Sequence, residues 1–196
     1  MCSSDLCGLN ETAQAITDGI QGLDDVTHAM WSAAKLIDGT RPVLDSSGYS
    51  HRVPWTDIYD SHDYDQNPET FAQRHAALAE DKPYINGPED RPWSCAYRGQ
   101  PYFVSEFGGI WWNPAAKEGE DSWGYGERPK TLEEFYTRFE GLVAALLDDE
   151  NMFAYCYTQL TDVFQEQNGI YLFDRSEKYD LTRIRAAQRR RAAIER

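Results

Sequence analysis

Positive charge is what this sequence has least of: 19 lysines and arginines stand against 33 aspartates and glutamates, a formal net charge of −14 and a pI near 4.6. Non-specific binding to nucleic acid or to an anionic membrane needs a basic surface, so neither is an expected partner. A neutral or cationic ligand fits better. Long apolar runs are also missing. No stretch approaches the roughly 20 residues that cross a bilayer, and no basic region followed by an apolar core opens the chain, so no export signal is visible. Cysteine is scarce and scattered: Cys2, Cys7, Cys95 and Cys156 form no C-x-x-C pair and have no companion histidines at zinc spacing. Neither a metal site nor a disulfide framework is implied, and the four read as free, buried thiols.

What is present is enough for one globular core: 196 residues, 41% hydrophobic and 13% aromatic. The first residues stand apart. "MCSSDL" is what a common short-read sequencing adapter ending GTG-TGC-TCT-TCC-GAT-CT gives on translation, so Met1 to about Leu6 are expected not to be native sequence, and residues 7–196 to begin in mid-gene. Beyond them, short apolar strands alternate with helical stretches. Strands are expected at 6–11, 41–47, 56–64, 101–109 and 152–159, and a helix over about 21–37 that stops at Gly39. A second helix, from about Thr131 to Asp148, opens on the capping-box pattern Thr131-Leu-Glu-Glu134. From Thr182 onward a last helix is expected, with Ile184, Ala187, Arg191 and Ile194 down one side.

Strands separated by helices imply α/β architecture with a parallel sheet. Between Ser47 and Thr56 there is no room for a full helix, so that crossover must be a turn or an abbreviated helix. Five strands fall short of the eight of a closed barrel, which takes about 250 residues. An open α/β sheet and part of a barrel are the two options. Both place their chemistry at the C-terminal ends of the strands. Those ends carry Asn10 and Glu11, Ser47 and Tyr49, His62 and Tyr64, Glu106, and Tyr157 and Gln159. Glu106 ends the apolar strand "FVSEFGG", where an unpaired carboxylate would cost several kcal/mol to desolvate. A pair of carboxylates flanking a sugar is the recurring device of glycoside hydrolysis. Trp111, Trp112, Trp123 and Tyr125, in the Gly-rich loop after Glu106, suit stacking on a pyranose.

These residues carry a resemblance. "LNET" (9–12), "DGTRPVLDSSGYSH" (38–51), "DIYDSHDYDQNP" (57–68), "PYFVSEFGGI" (101–110), "WGYGERPKTLEEFYTRFEGL" (123–142) and "YCYTQLTDVFQEQNGIY" (155–171) resemble the C-terminal half of the catalytic barrel of family 2 glycoside hydrolases, the group of β-galactosidases and β-glucuronidases. The resemblance implies a partial (β/α)8 TIM barrel, strands four to eight with their helices, and a retaining β-glycosidase of β-galactosidase-like type without cofactor or metal. Glu11 matches the general acid/base and Glu106 the nucleophile, while Asn10 would bond the sugar's 2-hydroxyl. His62, Tyr64, Trp111, Trp112 and Tyr157 are the further expected substrate contacts, Tyr157 standing where the family usually has tryptophan. The partners so implied are a carbohydrate substrate and the rest of a parent chain: the first half of the barrel and the sandwich domains that precede it.

Plainer readings sit beside each residue. Glu11 could be an exposed strand-end acid, His62 a structural histidine, and Trp111 and Trp112 rim cover. The run Asp57, Asp60, Asp63, Asp65 reads as a solvated loop, since alternation along a strand sends its side chains to opposite faces. The basic tail reads as a solvated helix face. As a whole, the alternative to an enzyme is a carbohydrate-binding or degenerate, non-catalytic barrel fragment, and five strands with open edges are expected to expose apolar surface.

Overall fold

The computed structural model describes residues 6–113 and 121–196. Of the stretch matching the adapter, residues 1–5 lie outside the described residues, and Cys2 with them. In chain order come β1 (Leu6–Cys7), α1 (Gly22–Ile37), β2 (Val43–Leu44), β3 (Tyr59–Asp63), α2 (Pro68–His75), β4 (Tyr102–Gly108), α3 (Leu132–Leu147), β5 (Met152–Thr158) and α4 (Leu181–Gln188). The fold is mixed α/β, as the alternation of strands and helices implies. No helix of the described residues is long and apolar enough to cross a membrane.

The five strands do not form one array. They divide into two small parallel sheets, β1-β2 and β3-β4-β5. The Asp57 N–H, just ahead of β3, donates to the Val43 carbonyl of β2 at 3.2 Å, and side chains bond other backbone groups nearby. The Val43 N–H donates to the Asp57 carboxylate at 2.8 Å, the Thr56 hydroxyl donates to the Val43 carbonyl at 3.1 Å, and the Asp45 N–H donates to the Thr56 hydroxyl at 3.1 Å. On β3, the Asn86 side chain brackets His62, accepting its N–H at 2.9 Å and donating to its carbonyl at 2.8 Å. The connection between Ser47 and Thr56 is a turn, as its length requires.

The chain forms two compact units. The first comprises Met1–His62, Ala77–Ser105 and Asn151–Ala154. Its apolar centre is Leu44, Ile58 and Phe103, with Ala154 packed against them. Helix α1 lies on β2, pinned by the Trp31 indole donating to the Val43 carbonyl at 3.0 Å and by Lys35 paired with Asp57 at 2.7 Å. Its last two residues, Leu36 and Ile37, are 86% and 87% exposed.

The second unit comprises Asp63–Ala76, Glu106–Glu150 and Tyr155–Arg196, and α3 is its axis. Seven side chains of α3 are buried: Phe135, Tyr136, Phe139, Leu142, Val143, Leu146 and Leu147. The Thr131 hydroxyl caps α3 by accepting the Glu134 N–H at 3.1 Å, but the Glu134 carboxylate accepts the Lys130 N–H, one residue outside the expected capping box. Helix α2 has no counterpart in the sequence reading, although Asn67 is its N-cap and Pro68 fills its first turn, a common start signal. The C-terminal helix stops at Gln188, not at the chain end. Arg190 pairs with Asp148 at 2.8 Å, and Ala193–Glu195 form a separate 3-10 turn in which Ile194 is exposed.

The acidic run is not a solvated loop. Asp60 and Asp63 are buried in β3. Asp63 pairs with Arg74 and with His75, the latter at 3.1 Å, and Asp65 accepts the Asn67 N–H at 3.0 Å and the Thr70 hydroxyl at 2.7 Å. In the first unit, Asp60 and Asp45 flank the buried ring of His51, whose Nδ1 lies 2.8 Å from Asp45 and whose Nε2 lies 3.0 Å from Asp60. Asp45 also accepts the N–H groups of Arg52 at 2.6 Å and Val53 at 2.8 Å. Burial alone would push the imidazole down, but hydrogen bonds to Asp45 and Asp60 outweigh it and raise His51 to about 10. Burial would likewise raise Asp45, and its bonds from His51, Val53 and Arg52 hold it below the usual carboxylate value.

A raised histidine stabilises fully below its unfolded value near 6.5 and loses that contribution as pH climbs toward 10. A lowered aspartate stabilises above its ordinary value and loses its contribution as pH falls below it. The urea midpoint of the native chain should therefore fall steadily between about pH 6.5 and 10. His51→Gln should lower the midpoint and flatten that dependence; an unchanged slope would exclude a charged His51.

Candidate active site

The first unit holds Asn10, Glu11 and His62 of the expected site. The pairing of β1 with β2 continues past both strands, through a parallel bridge between Asn10 and Ser47. The Ser47 N–H donates to the Leu9 carbonyl at 2.8 Å, and the Glu11 N–H donates to the Ser47 carbonyl at 2.9 Å. Glu11 itself has φ 51, in the left-handed region that non-glycine residues seldom occupy, and Asn10 beside it is exposed. Such a conformation costs about 1–3 kcal/mol and persists where the surroundings fix it.

What fixes Glu11 is His62. The imidazole is buried, with Nδ1 2.8 Å from a Glu11 carboxylate oxygen and Nε2 2.9 Å from the Ser47 hydroxyl, while the Glu11 side chain stays 37% exposed. With both nitrogens engaged inside the protein, the ring faces Glu11 and not solvent. Behind it lies Gly48, at φ 92, where a Cβ would stand 2.6 Å from the imidazole. The Gly48 N–H points at the Asp60 carboxylate, 3.1 and 3.0 Å from its two oxygens, and the Ser105 hydroxyl donates to the same carboxylate. Asp60 thus positions Gly48, Gly48 leaves room for His62, and His62 orients Glu11.

The second unit holds Tyr64, Glu106, Trp111, Trp112 and Tyr157. The Tyr64 phenol donates to a Glu106 carboxylate oxygen, and its ring stacks on Tyr125, 3.5 Å between centroids and 4° from parallel. Burial, then the bond to Glu106, push the Tyr64 phenol far above the usual tyrosine range, so it stays a neutral donor. The double glycine after Glu106 gives both aromatics their places. Gly108 (φ 77) and Gly109 (φ 56) are left-handed, and a Cβ would stand 2.3 Å from the Tyr157 ring at the first and 2.4 Å from the Tyr125 ring at the second. Gln66, absent from the expected site, donates to the Gly108 carbonyl at 2.5 Å and ties that turn to the segment carrying Tyr64.

Tyr157 packs edge-on to Phe107 at 5.5 Å and against Phe139 at 5.2 Å, and its hydroxyl accepts the Ile110 N–H at 3.1 Å. Its ring is a packing element under the turn more than an open stacking face. Trp111 and Trp112 are half-buried. The Trp111 indole donates to the Ser122 hydroxyl at 3.2 Å with the Arg128 guanidinium 5.7 Å from its ring, and the Trp112 N–H donates to the Gln167 carbonyl at 3.0 Å. The loop behind them is fastened by a buried pair: Lys178 lies 2.6 Å from Asp162, whose carboxylate also accepts the Gly169 N–H at 2.8 Å.

A scan against protein-family models finds no match, and a search of curated proteins finds none. Solved structures do match. The chain is similar to the GH2 β-galacturonidase of Eisenbergiella tayi bound to galacturonate, with TM-score 0.63 and 14% identity over 95% of this chain and 33% of that one. It is similar to the β-glucuronidase of Bacteroides uniformis, with TM-score 0.59 and 15% identity over 89% of this chain and 22% of that one. A putative β-galactosidase of Bacteroides fragilis gives TM-score 0.63 and 15% identity over 93% of this chain and 27% of that one. The fold is therefore GH2-like, and the chain spans no more than about a third of the length of these structures.

The packing of His62 on Gly48 is measurable without any assay of activity. Gly48→Ala and Gly99→Ala both place a Cβ on a left-handed backbone, at φ 92 and 81, but only Gly48 has a neighbour in the way. Gly99→Ala should cost about 1 kcal/mol and Gly48→Ala about 1–3 kcal/mol more, read from urea midpoints. Equal losses would show that Gly48 does not carry the imidazole.

Proposed function

We propose that the chain is the fourth-to-eighth-strand part of a (β/α)8 barrel and that its parent is a retaining β-glycosidase of β-galactosidase-like type. The observation that carries this reading is the neutral Tyr64 phenol donating to Glu106 in β4, two residues before its end. A phenol held as a donor favours the ionised carboxylate, the form a nucleophile needs. Support comes also from the GH2-like fold and from chain lengths: nearly all of this chain matches about a third of the galacturonidase. The remaining strands and the sandwich domains would then lie elsewhere in the parent chain.

In this reading a Glu106 oxygen attacks the anomeric carbon, the glycosidic C–O bond breaks, and Glu11 gives its proton to the departing oxygen. Water then attacks the same carbon, Glu11 takes the water proton, and the Glu106 carboxylate is released with the β-configuration retained. Such chemistry requires the two carboxyls about 5–5.5 Å apart. Asn10 bonds the 2-hydroxyl, Trp111 and Trp112 offer stacking surfaces, and His62 orients Glu11 through its Nδ1. The net charge of −14 favours a neutral hexoside over a uronide.

The test is the intact mass of the protein, and of the same chain extended upstream in its gene, after exposure to 2-deoxy-2-fluoro β-glycosides. One sugar bound to the peptide holding Glu106, and none on Glu106→Gln, is the expected result. A hydrogen bond to a charged group is worth about 1.5–3 kcal/mol, so Tyr64→Phe should slow labelling roughly ten- to a hundredfold. No adduct from any sugar on the folded, extended protein would overturn the reading in favour of a carbohydrate-binding fragment.

A further inference from the structure

A hydrogen bond at the tip of a phenol fixes one atom and not the plane of the ring. For Tyr64, whose hydroxyl donates to Glu106, the plane is fixed by Tyr125, which lies 4° from parallel with 3.5 Å between centroids. Free aromatic pairs settle offset or edge-on, with centroids about 4.5–7 Å apart. An overlap this direct is imposed by the backbone that carries Tyr125.

That backbone is Trp-Gly-Tyr-Gly, residues 123–126, and every one of its residues is held. The Trp123 N–H donates to the Gln165 carbonyl at 2.8 Å, and the Trp123 carbonyl accepts the Gln167 N–H at 2.8 Å. At Gly124 a Cβ would stand 2.5 Å from the Trp111 Cα, so the two backbones touch there. The Tyr125 N–H donates to the Gly109 carbonyl at 2.9 Å, and the Trp123 ring closes on Tyr125 edge-on at 5.8 Å. At Gly126, φ 68, a Cβ would stand 2.3 Å from Cγ of Gln66, whose amide donates to the Tyr64 carbonyl at 3.0 Å. The segment is thus seated on the 109–111 turn on one side and on the Tyr64–Gln66 segment on the other. We propose that Tyr125 is a positioning residue for the nucleophile: its ring, set by the 123–126 segment, holds the Tyr64 phenol on the Glu106 carboxylate. The assignment deepens the glycosidase reading and rests on it for the word nucleophile; the link from Tyr125 to the Tyr64–Glu106 bond does not.

The bond itself is read in the full chain from the downfield proton resonance of the Tyr64 hydroxyl, assigned by its loss in Tyr64→Phe. Tyr125→Ala should lose that resonance to exchange with water, and Tyr125→Phe, which keeps a stacking ring, should retain it, with unshifted α3 amides showing that each variant folds. The consequence is read from the rate of fluoro-glycoside labelling of the extended chain. Tyr125→Ala should lower the limiting rate roughly three- to tenfold at an unchanged half-saturating concentration, and Tyr125→Phe should stay within about twofold of the native rate. Because Tyr125 acts through Tyr64, the double variant Tyr64→Phe/Tyr125→Ala should label no more slowly than Tyr64→Phe alone. A hydroxyl resonance absent from the native chain, or unchanged in Tyr125→Ala, would overturn the proposal. So would a double variant slowed by the product of the two single effects, or a Tyr125→Ala change confined to the half-saturating concentration, which would make Tyr125 a substrate contact. Loss of the resonance in Tyr125→Ala and its return in Tyr125→Phe, without a sugar adduct on any folded protein, would keep the positioning role and reject the enzyme.

Discussion

A single buried carboxylate, that of Asp60, organises the first unit. It accepts the Gly48 N–H and the Ser105 hydroxyl, lies 3.4 Å from the Ser47 hydroxyl, and faces the His51 imidazole at 3.0 Å. A buried anion is expensive unless hydrogen bonds and an opposite charge compensate it. Here that requirement is turned into geometry. Satisfying Asp60 brings the 45–51 loop down onto β3, and the loop carries Gly48 and Ser47 to the faces of His62. The exposure and backbone strain of Glu11 are tolerated because this arrangement holds its carboxylate from behind.

In the second unit the constraint is steric, not electrostatic. Two consecutive left-handed glycines, 108 and 109, let two aromatic rings approach the backbone more closely than any Cβ would allow. One of those rings, Tyr125, is the surface on which Tyr64 stacks, and Tyr64 in turn donates to Glu106. The two proposed catalytic carboxylates thus differ in their support. An imidazole holds Glu11, while a phenol far from ionising holds Glu106.

Much of this was legible in the sequence because it is local. The apolar spacing of 21–37, the Thr131 cap and the apolar run of "FVSEFGG" each act over a few residues, and α1, α3 and β4 form within a residue or two of their expected bounds. Glu106 lies within β4, two residues before its end, whereas Glu11 lies beyond β1, past the isolated bridge at Asn10. What escaped depends on partners far along the chain. Asp60 reads as one of four acids in a solvated loop until His51 and Ser105 are brought to it. Asn86 gives no signal at all, yet its amide bonds both backbone groups of His62, and the strands form two sheets where one was expected. Helix α2 did carry a signal, Asn67-Pro68 ahead of an acidic first turn. The C-terminal helix was overextended because the side-chain pattern continued past Gln188, where Arg190 turns away to Asp148.

The claim on which the account most depends is that Asp60 and His51 act as one buried ionic unit beneath the site. A double-mutant cycle in urea, with Asp60→Asn, His51→Gln and both together, measures it directly. Removing one partner of a buried pair strands the other, at a cost of about 3–5 kcal/mol. The account predicts that the double variant loses much less than the sum of the two single variants. Losses that add to within about 0.5 kcal/mol would mean that the two groups do not interact, and the support proposed for Glu11 would lose its base.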